Sequence, residues 1–213
     1  HAMSRRQRQM CIRDRHLVKD MLHNPGSVFY VRQQQPAGLG HAVWCARHLV
    51  GSEPVAVLLA DDLILGASCV KEMVDAYKGG NMVAVMDVPH EQTGSYGIVT
   101  PGADDGRIVQ VEGLVEKPNP SSAPSNIAVV GRYIITHEVF ETLAAQERGA
   151  GGEIQLTDAL AKQIGKAPFS GVRFSGERFD CGSKLGFLQA NVAFGLNNDA
   201  IRDPVSYTHL TLP

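Results

Sequence analysis

The stretch PVAVLLADDLILGASCVKEMVDAYKGGNMVAVMDVP, residues 54–89, decides the fold. It begins with a continuous apolar run, PVAVLLADD, which predicts a strand buried on both faces of a sheet. The amphipathic segment CVKEMVDAYKGG predicts a helix that ends at two glycines, and NMVAVMDVP predicts a second buried strand. A strand, a helix and a strand in this order indicate an α/β protein with a mostly parallel sheet flanked by helices.

The alternation continues on both sides of this stretch. Upstream, SVFYVRQ (27–33) predicts a strand and GLGHAVWCARHLVG (38–51) predicts a helix. Downstream, YGIVTPGADDGRIVQVEGLVEKP (96–118) predicts two strands joined by a Gly-Asp turn, which makes the sheet mixed. The remaining expected elements are a strand in NIAVVGRYIIT, helices in EVFETLAAQE and in EIQLTDALAKQIGK with Thr157 as its cap, a hairpin in FSGVRFSGERFDCG, and a closing helix in SKLGFLQANVAFGLNN.

Composition narrows the class of protein. The chain has 213 residues, 44% of them hydrophobic and 20% charged, which is enough apolar material for one globular core. A formal net charge of -2 does not indicate a surface for nucleic acid. No apolar run approaches the roughly 20 residues that a membrane span needs. The four cysteines are widely spaced and suit neither a zinc site nor a disulfide framework, so we predict a reduced, cytoplasmic protein.

The two ends differ in style from the rest of the chain. Residues 4–15 carry five arginines with no helical or strand period, and residues 205–213 are unrelated to what precedes them. We interpret residues 1–15 as a tag and non-native segment and residues 205–213 as a non-native tail. A partial catalytic domain would then occupy residues 16–204. The alternative for residues 4–15 is a basic arm that binds nucleic acid.

Carboxylates at two places are candidate ligands of a divalent cation. Asp61 and Asp62 follow a predicted buried strand, where an unpaired carboxylate costs desolvation energy. A Mg²⁺ ion shared with substrate phosphates would justify that placement, with Asp61, nearer the strand, as the ligand. Asp180 in RFDCGSKLG is the second candidate. The alternatives are a loop acid that caps the next helix for Asp61 and a helix N-cap for Asp180.

Two further motifs indicate a ligand that carries hydroxyl groups and a phosphate. In QQQPAGLGHAV, which begins at Gln33, the glycine at Gly38 lets a ligand approach the backbone, although a tight strand-to-helix turn needs glycine too. In GLVEKPNPSSAPSN, Glu116 could accept sugar hydroxyls and Lys117 could neutralise a phosphate. Pro118 should hold Lys117 extended, so that the two side chains point to opposite sides of the strand. The alternative is an exposed ion pair of little energetic value.

Together these motifs resemble the sugar nucleotidyltransferase family, and within it the bacterial UTP–glucose-1-phosphate uridylyltransferases, or UDP-glucose pyrophosphorylases. The resemblance runs from about residue 29 to residue 197. It is carried, in order, by VRQ…GLGHAV, EPVAVLLADDLI, the Tyr96-Gly97 pair, VEKP, APSNIAVVGRY, GGEIQLTDA and FDCGSKLG. It implies the Rossmann-like nucleotidyltransferase fold, transfer of uridylyl from UTP to glucose 1-phosphate, release of UDP-glucose and pyrophosphate, Mg²⁺ as cofactor and assembly into a homo-oligomer.

The resemblance also implies a role for each motif. Gln33 and Gly38 match the positions that read uracil. Asp61 and Asp180 match the Mg²⁺ ligands. Gly97 and Glu116 match glucose contacts and Lys117 matches the sugar-phosphate contact, so that Asp61, Lys117 and Asp180 would be catalytic. Glu153 lies in a family motif near the sugar pocket.

One feature of the family has no counterpart in this sequence. The family begins with a strand and a glycine-rich loop whose Arg and Lys cradle the triphosphate, whereas residues 4–15 contain no glycine. We therefore expect the family's fold without its first strands, and weakened catalysis. The alternatives are an inactive remnant that folds and binds sugar phosphate, a thymidylyl- or other sugar-nucleotidyltransferase, and a domain with a purely structural role.

Overall fold

The computed structural model describes residues 26–207, and the predicted foreign ends lie almost entirely outside this range. The chain divides into two compact units, residues 1–32 and residues 33–213. The strand predicted at residues 27–33 is wrong, because residues 26–38 contain no strand. A strand needs a hydrogen-bonded neighbour, and none of the described strands pairs with this run. Within residues 26–207 no helix has the length and apolarity needed to cross a bilayer.

The second unit alternates helices and strands. Its described helices are α1 (Leu39–Cys45), α2 (Cys69–Ala76), α3 (His137–Leu143), α4 (Leu156–Ala161), α5 (Lys184–Leu196) and α6 (Arg202–Ser206). Its strands are β1 (Val55–Leu58), β2 (Asp62–Leu65), β3 (Asn81–Asp87), β4 (Gly97–Asp104), β5 (Ile108–Glu116), β6 (Ile127–Ile135), β7 (Phe169–Arg173) and β8 (Glu177–Asp180). Short 3₁₀ turns lie at Arg47–Leu49, His90–Ser95, Pro120–Ser122 and Ala150–Gly152.

The main sheet is mixed, as the sequence predicted, but it is not mostly parallel. Its order is β1-β6-β3-β7-β5-β4, with a further pairing of β4 to β6. Among the described strands only β3 and β7 pair in parallel. Strand β6 runs antiparallel between β1 and β3, and β5 runs antiparallel to β7. The strand-helix-strand pattern fixed the directions of β1 and β3 correctly, but it could not show that β6 inserts between them.

Helices cover both faces of this sheet, because alternate residues of each strand point to opposite sides. In β3, Val83 and Val85 belong to the larger core, which packs against α1, α3 and α4. Met82 and Ala84 belong to the second core, which packs against α2. Cys69 of α2 lies in that second core, and burial raises the pKa of its thiol to about 11. The prediction of an α/β protein with a sheet flanked by helices is confirmed.

Three details of the local predictions are wrong. Strand β1 is alternately half-buried and exposed rather than buried on both faces, because only the face with Val55 and Val57 packs against the larger core. Thr157 does not cap α4. The helix begins at Leu156 with Gln155 in the cap position, so Thr157 lies in its first turn. The expected hairpin at residues 169–182 is split, since β7 joins the main sheet whereas β8 pairs with β2.

The predicted turn between β4 and β5 is confirmed. Gly106 adopts a φ of 90°, a region that glycine enters without steric cost. The carboxylate of Asp104 accepts a hydrogen bond from the Gly106 N–H at 2.9 Å, and that of Asp105 accepts one from the Ile108 N–H at 2.6 Å. These hydrogen bonds from side chains take the place of the backbone hydrogen bonds between β4 and β5 where the chain reverses direction.

Candidate active site

A cavity of about 330 Å³ opens along one edge of β6. Strand β3 occupies the other edge of β6 along most of its length, so β1 and β4 share the remaining edge. Strand β1 covers the carboxyl end of β6, and β4 begins at the opposite end, next to Ala128. The cavity lies in the gap between them, where Val129 and Gly131 form part of its wall. Six of the eight predicted site residues line it: Asp61, Gly97, Glu116, Lys117, Glu153 and Asp180.

The carboxylates of Asp61 and Asp180 converge in this cavity. A Cβ placed on Gly182 would lie 3.3 Å from Asp61 Oδ2 and 3.1 Å from Asp180 Oδ1, so both carboxylates border the same small space. The backbone brings the two segments together, because the N–H of Cys181 donates to the carbonyl of Asp61 at 2.7 Å. Residues almost 120 positions apart in sequence therefore meet at one point.

The structural alternatives for these two carboxylates are not realised. The cap of α5 is Ser183, whose Oγ accepts the Gly186 N–H at 3.0 Å. The cap of α2 is Ser68, whose Oγ accepts the Lys71 N–H at 3.3 Å. Neither helix start therefore uses Asp180 or Asp61 as its cap, and Asp180 Oδ1 instead accepts the Gly182 N–H at 3.0 Å.

The donor set fits Mg²⁺ that is shared with a substrate. Within residues 26–207 no group of three or more His, Cys, Asp or Glu side chains is placed to hold a metal ion. Mg²⁺ is commonly bound by one or two carboxylates together with phosphate oxygens and water rather than by a cage of protein ligands. Two converging carboxylates at the mouth of a polar cavity match that requirement.

Asp62, the neighbour of Asp61, has a different role. It is 5% exposed, and its Oδ2 accepts the Gly131 N–H at 2.5 Å. Its Oδ1 accepts hydrogen bonds from Arg178 at 2.5 Å, and the same guanidinium donates to the Tyr96 hydroxyl at 3.2 Å. A buried carboxylate with these partners is a structural anchor, which leaves the exposed Asp61 as the free carboxylate of the pair.

The Glu-Lys pair lies across from Gly97. Gly97 pairs with Glu116 in the β4–β5 ladder, and a Cβ on Gly97 would lie 3.2 Å from Glu116 Oε2. Lys117 is not extended, as was predicted, but adopts a left-handed φ of 45°. Its N–H donates to the Tyr96 carbonyl at 2.9 Å, which holds the backbone in this conformation. Both side chains line the cavity, and no ion pair joins them in the described part of the chain.

Gln33 and Gly38, the predicted nucleobase positions, are joined to each other next to the cavity. The amide nitrogen of Gln33 donates to the Gly38 carbonyl at 3.1 Å. Gly38 has a φ of 106°, and a Cβ on it would lie 2.8 Å from both Glu153 Cβ and the Ile154 carbonyl. The glycine is therefore required by the close approach of residues 153–154, a structural reason different from the strand-to-helix turn given as the alternative, since no strand precedes α1 in residues 26–38. The same approach places the motif beside Glu153, which lines the cavity.

Sequence reasoning missed several residues of the cavity wall. Burial, followed by the nearby Glu116 carboxylate, raises the pKa of the Tyr133 phenol, so that it stays neutral at physiological pH. Thr157 approaches within 3.1 Å of the position that a Cβ on Gly97 would take. Arg178 could have been found, because alternation along a strand puts it on the same face as Asp180. Tyr133 carried no signal, since it stands in a largely apolar strand that was predicted only as part of the core.

Comparison with known proteins identifies the family. Residues 8–195 match the family model described as nucleotidyl transferase. A UTP–glucose-1-phosphate uridylyltransferase of Komagataeibacter xylinus is 54% identical over 164 residues, which are 76% of this chain and 58% of that protein. The chain belongs to the nucleotidyl transferase family, and the resemblance drawn from the sequence is confirmed.

Solved structures show which branch of the family this chain is similar to. A UDP-glucose pyrophosphorylase in complex with UDP-glucose matches with a TM-score of 0.76 and 39% identity, over 80% of this chain and 66% of that one. A UTP-bound UGPase from Acinetobacter baumannii matches with a TM-score of 0.84 and 34% identity, over 97% of this chain and 73% of that one. The chain spans about 58% of the length of its Komagataeibacter relative.

Proposed function

We propose that the protein transfers the uridylyl group of UTP to glucose 1-phosphate and releases UDP-glucose and pyrophosphate. The convergence of Asp61, Asp180, Glu116 and Lys117 in one cavity carries this proposal. Two carboxylates suit a cation on phosphates, one carboxylate suits sugar hydroxyls, and one ammonium suits a sugar phosphate. The names of the relatives support the same substrates.

The chemistry is a displacement at phosphorus. A phosphate oxygen of glucose 1-phosphate forms a bond to the α-phosphorus of UTP, and the bond to the leaving pyrophosphate breaks. No covalent link to the protein is required, so catalysis is positioning and charge neutralisation. Mg²⁺, held by Asp61 and Asp180, would supply positive charge at the phosphate oxygens.

The chain's own residues would orient the two substrates. Lys117 would neutralise the phosphate of glucose 1-phosphate, and Glu116 would accept hydrogen bonds from the glucose hydroxyls beside Gly97. Glu153 would close the sugar end of the cavity. Gln33 and Gly38 would contact the uracil base. The cytoplasmic location and the homo-oligomeric state remain predictions, and chromatography with light scattering would measure the latter.

The test is pyrophosphate release from UTP and glucose 1-phosphate with Mg²⁺, alongside binding of UDP-glucose. Asp61→Asn and Lys117→Met should each lower turnover about a hundredfold or more, the range for removal of one group that stabilises transition-state charge. Asp199→Asn and Lys166→Met, which lie outside the cavity, should leave it unchanged.

The outcomes separate the proposed enzyme from the alternatives. Turnover that survives both cavity substitutions would contradict the proposal. UDP-glucose binding without turnover would favour an inactive remnant that retains the sugar-phosphate site. Faster turnover with dTTP than with UTP would favour a thymidylyltransferase.

A further inference from the structure

The orientation of the Gln33 side-chain amide is fixed by its neighbours. The Gly38 carbonyl lies 3.1 Å from Gln33 Nε2, and a carbonyl oxygen can only accept a hydrogen bond. The amide nitrogen, not the amide oxygen, must therefore face Gly38. This contact uses the first of the two amide hydrogens.

The second amide hydrogen is used by His41. Nδ1 of His41 lies 2.9 Å from Gln33 Nε2. Because the amide nitrogen is a donor, Nδ1 must be the unprotonated nitrogen of the ring, and the ring proton is then on Nε2. The thiol sulfur of Cys45 lies 3.8 Å from Nε2 and 4.0 Å from Nδ1, so it packs against the ring and is not in line with the Nε2–H bond. Both amide hydrogens of Gln33 are then used inside the protein, and its oxygen is left to accept from a ligand.

The His41 ring is itself held in place. It stacks on Trp44 with ring centroids 6.1 Å apart and an angle of 26° between the planes. The Trp44 ring in turn packs against Arg47, whose guanidinium carbon lies 3.5 Å from the ring centroid. In this arrangement Nδ1 of the ring faces the Gln33 amide.

We propose that His41 is a positioning residue that makes Gln33 present only its amide oxygen to the nucleobase, and that it thereby favours uracil over cytosine. The inference rests on the proposed function, in which Gln33 contacts uracil. N3 of uracil carries a hydrogen and can donate to the amide oxygen. N3 of cytosine carries a lone pair, so it is repelled by the amide oxygen. If the amide rotated, its NH₂ group could donate to N3 of cytosine instead.

Removing the acceptor at His41 should therefore relax base selection rather than abolish binding. His41→Leu frees the second amide hydrogen, so only the Gly38 carbonyl still holds the amide nitrogen, and rotation of the amide towards cytosine breaks one hydrogen bond instead of two. His41→Asn places an oxygen near the position of Nδ1 and should restore the selection. His48→Leu is the matched control, because His48 is exposed and lies outside this cluster. His41→Met provides a second apolar variant.

The experiment measures dissociation constants of the full chain for UTP and for CTP by titration calorimetry. The fluorescence of Trp44, the chain's one tryptophan, gives an independent readout beside the site. In His41→Leu and His41→Met, the ratio of the CTP to the UTP dissociation constant should fall about tenfold, the effect of one hydrogen bond. His41→Asn and His48→Leu should keep the wild-type ratio.

The outcomes distinguish the role of His41 from that of Gln33 and from the proposed function. Folded apolar variants that keep the wild-type ratio would overturn the role of His41 while leaving the proposed function intact. A wild-type chain that binds CTP as tightly as UTP would overturn the uracil-reading role of Gln33 itself. A parallel loss of affinity for both nucleotides in the apolar variants would reduce His41 to a packing residue.

Discussion

Gly97 leaves room for the Glu116 carboxylate, and a side chain at position 97 would occupy that room. A Cβ at this position would lie 3.1 Å from Thr157 Cγ2 and 3.2 Å from Glu116 Oε2. Gly97→Ala should therefore displace the Glu116 carboxylate, and we expect binding of UDP-glucose to weaken about tenfold while overpacking costs about 1 kcal/mol of stability. Calorimetric titration and a thermal melt measure the two effects separately.

The matched control is Gly51→Ala. No heavy atom lies within 4 Å of a Cβ placed on Gly51, so that variant should bind and melt like the wild type. Unchanged UDP-glucose affinity in Gly97→Ala would show that Glu116 does not contact the sugar from its present position.

Single residues also show where sequence rules stop. Asp61 was preferred over Asp62 as a metal ligand because it lies nearer the predicted strand, and this role stays a prediction, with Asp61 exposed and Asp62 buried in the structure. The extended conformation of Lys117 did not follow, although a residue before proline usually adopts it. A contact with Tyr96, which lies about 20 residues away, overrides the local preference. A local rule cannot include such a contact.

At the scale of elements, the two-stranded sheet of β2 and β8 carries the proposed metal ligands. The Asp62–Arg178 ion pair joins its two strands, and the Asp62 carboxylate also accepts the Gly131 N–H of β6. Both side chains are largely buried, with side-chain exposures of 6% and 12%. Arg178→Met would leave the Asp62 carboxylate buried and unpaired, so the free energy of unfolding should fall by about 3 kcal/mol. Urea unfolding of the variant and the wild type gives this difference.

A double-mutant cycle isolates the ion pair from other effects. Adding Asp62→Asn to Arg178→Met removes the unpaired charge but keeps an acceptor for the Gly131 N–H. The double variant should therefore lose less free energy of unfolding than the sum of the losses in the two single variants. The difference, the coupling energy, should be about 1 kcal/mol or more. Additive losses would mean that the two side chains contribute independently.

Helix α2 offers a second measurement at this scale. Its Cys69 is buried, and burial raises the pKa of the thiol from 9.0 to about 11. Because the thiolate is the reactive form, a thiol reagent at pH 8 should modify Cys45 and Cys181, which are partly exposed, well before Cys69. Mass spectrometry of labelled peptides, with and without urea, follows each thiol separately.

The raised pKa of Cys69 also determines how the free energy of unfolding changes with pH. A group whose folded pKa is raised contributes stability that is present below its unfolded pKa and is lost as pH rises through its folded pKa. Stability should therefore fall as the pH rises from 9 towards 11, and Cys69→Ala should reduce this fall. Rapid labelling of Cys69 in native conditions at pH 8 would contradict the burial of α2.

The sequence predicted elements better than their arrangement. Apolar patterns located β3, β6 and α5, because each pattern is local. Pairing is not local: β6 inserts antiparallel between β1 and β3, and β8 leaves β7 to join β2. The split of residues 169–182 between two sheets depends on strand partners 60 or more residues away, and no periodicity within the segment indicates them.

At the scale of the molecule, the cavity exists only when distant segments meet. Asp61 follows β1, Glu116 ends β5 and Asp180 ends β8, and β6 provides the edge along which they meet. The sequence could assign residue types to the site by resemblance, but only the folded sheet places them together. An unfolded chain contains the same residues without the site, so any ligand of this cavity must bind the folded state preferentially.

Preferential binding predicts a ligand-dependent melting temperature. UDP-glucose with Mg²⁺ at 100 times its dissociation constant should stabilise the folded chain by about 2.7 kcal/mol. For a chain of this size each kcal/mol corresponds to about 2–4 °C in Tm. Differential scanning calorimetry of the full chain measures the shift.

Removing the metal distinguishes a phosphate site held through carboxylates from one held by Lys117 alone. A chelator should reduce the shift caused by UDP-glucose, because the carboxylates of Asp61 and Asp180 then face the diphosphate without a cation and repel it. In Asp61→Asn the shift should depend less on the chelator, since one of the two repelling charges is gone. A shift that is the same with Mg²⁺ and with chelator in the wild type would place the diphosphate on Lys117 and away from the two carboxylates, so that their convergence would need another cause.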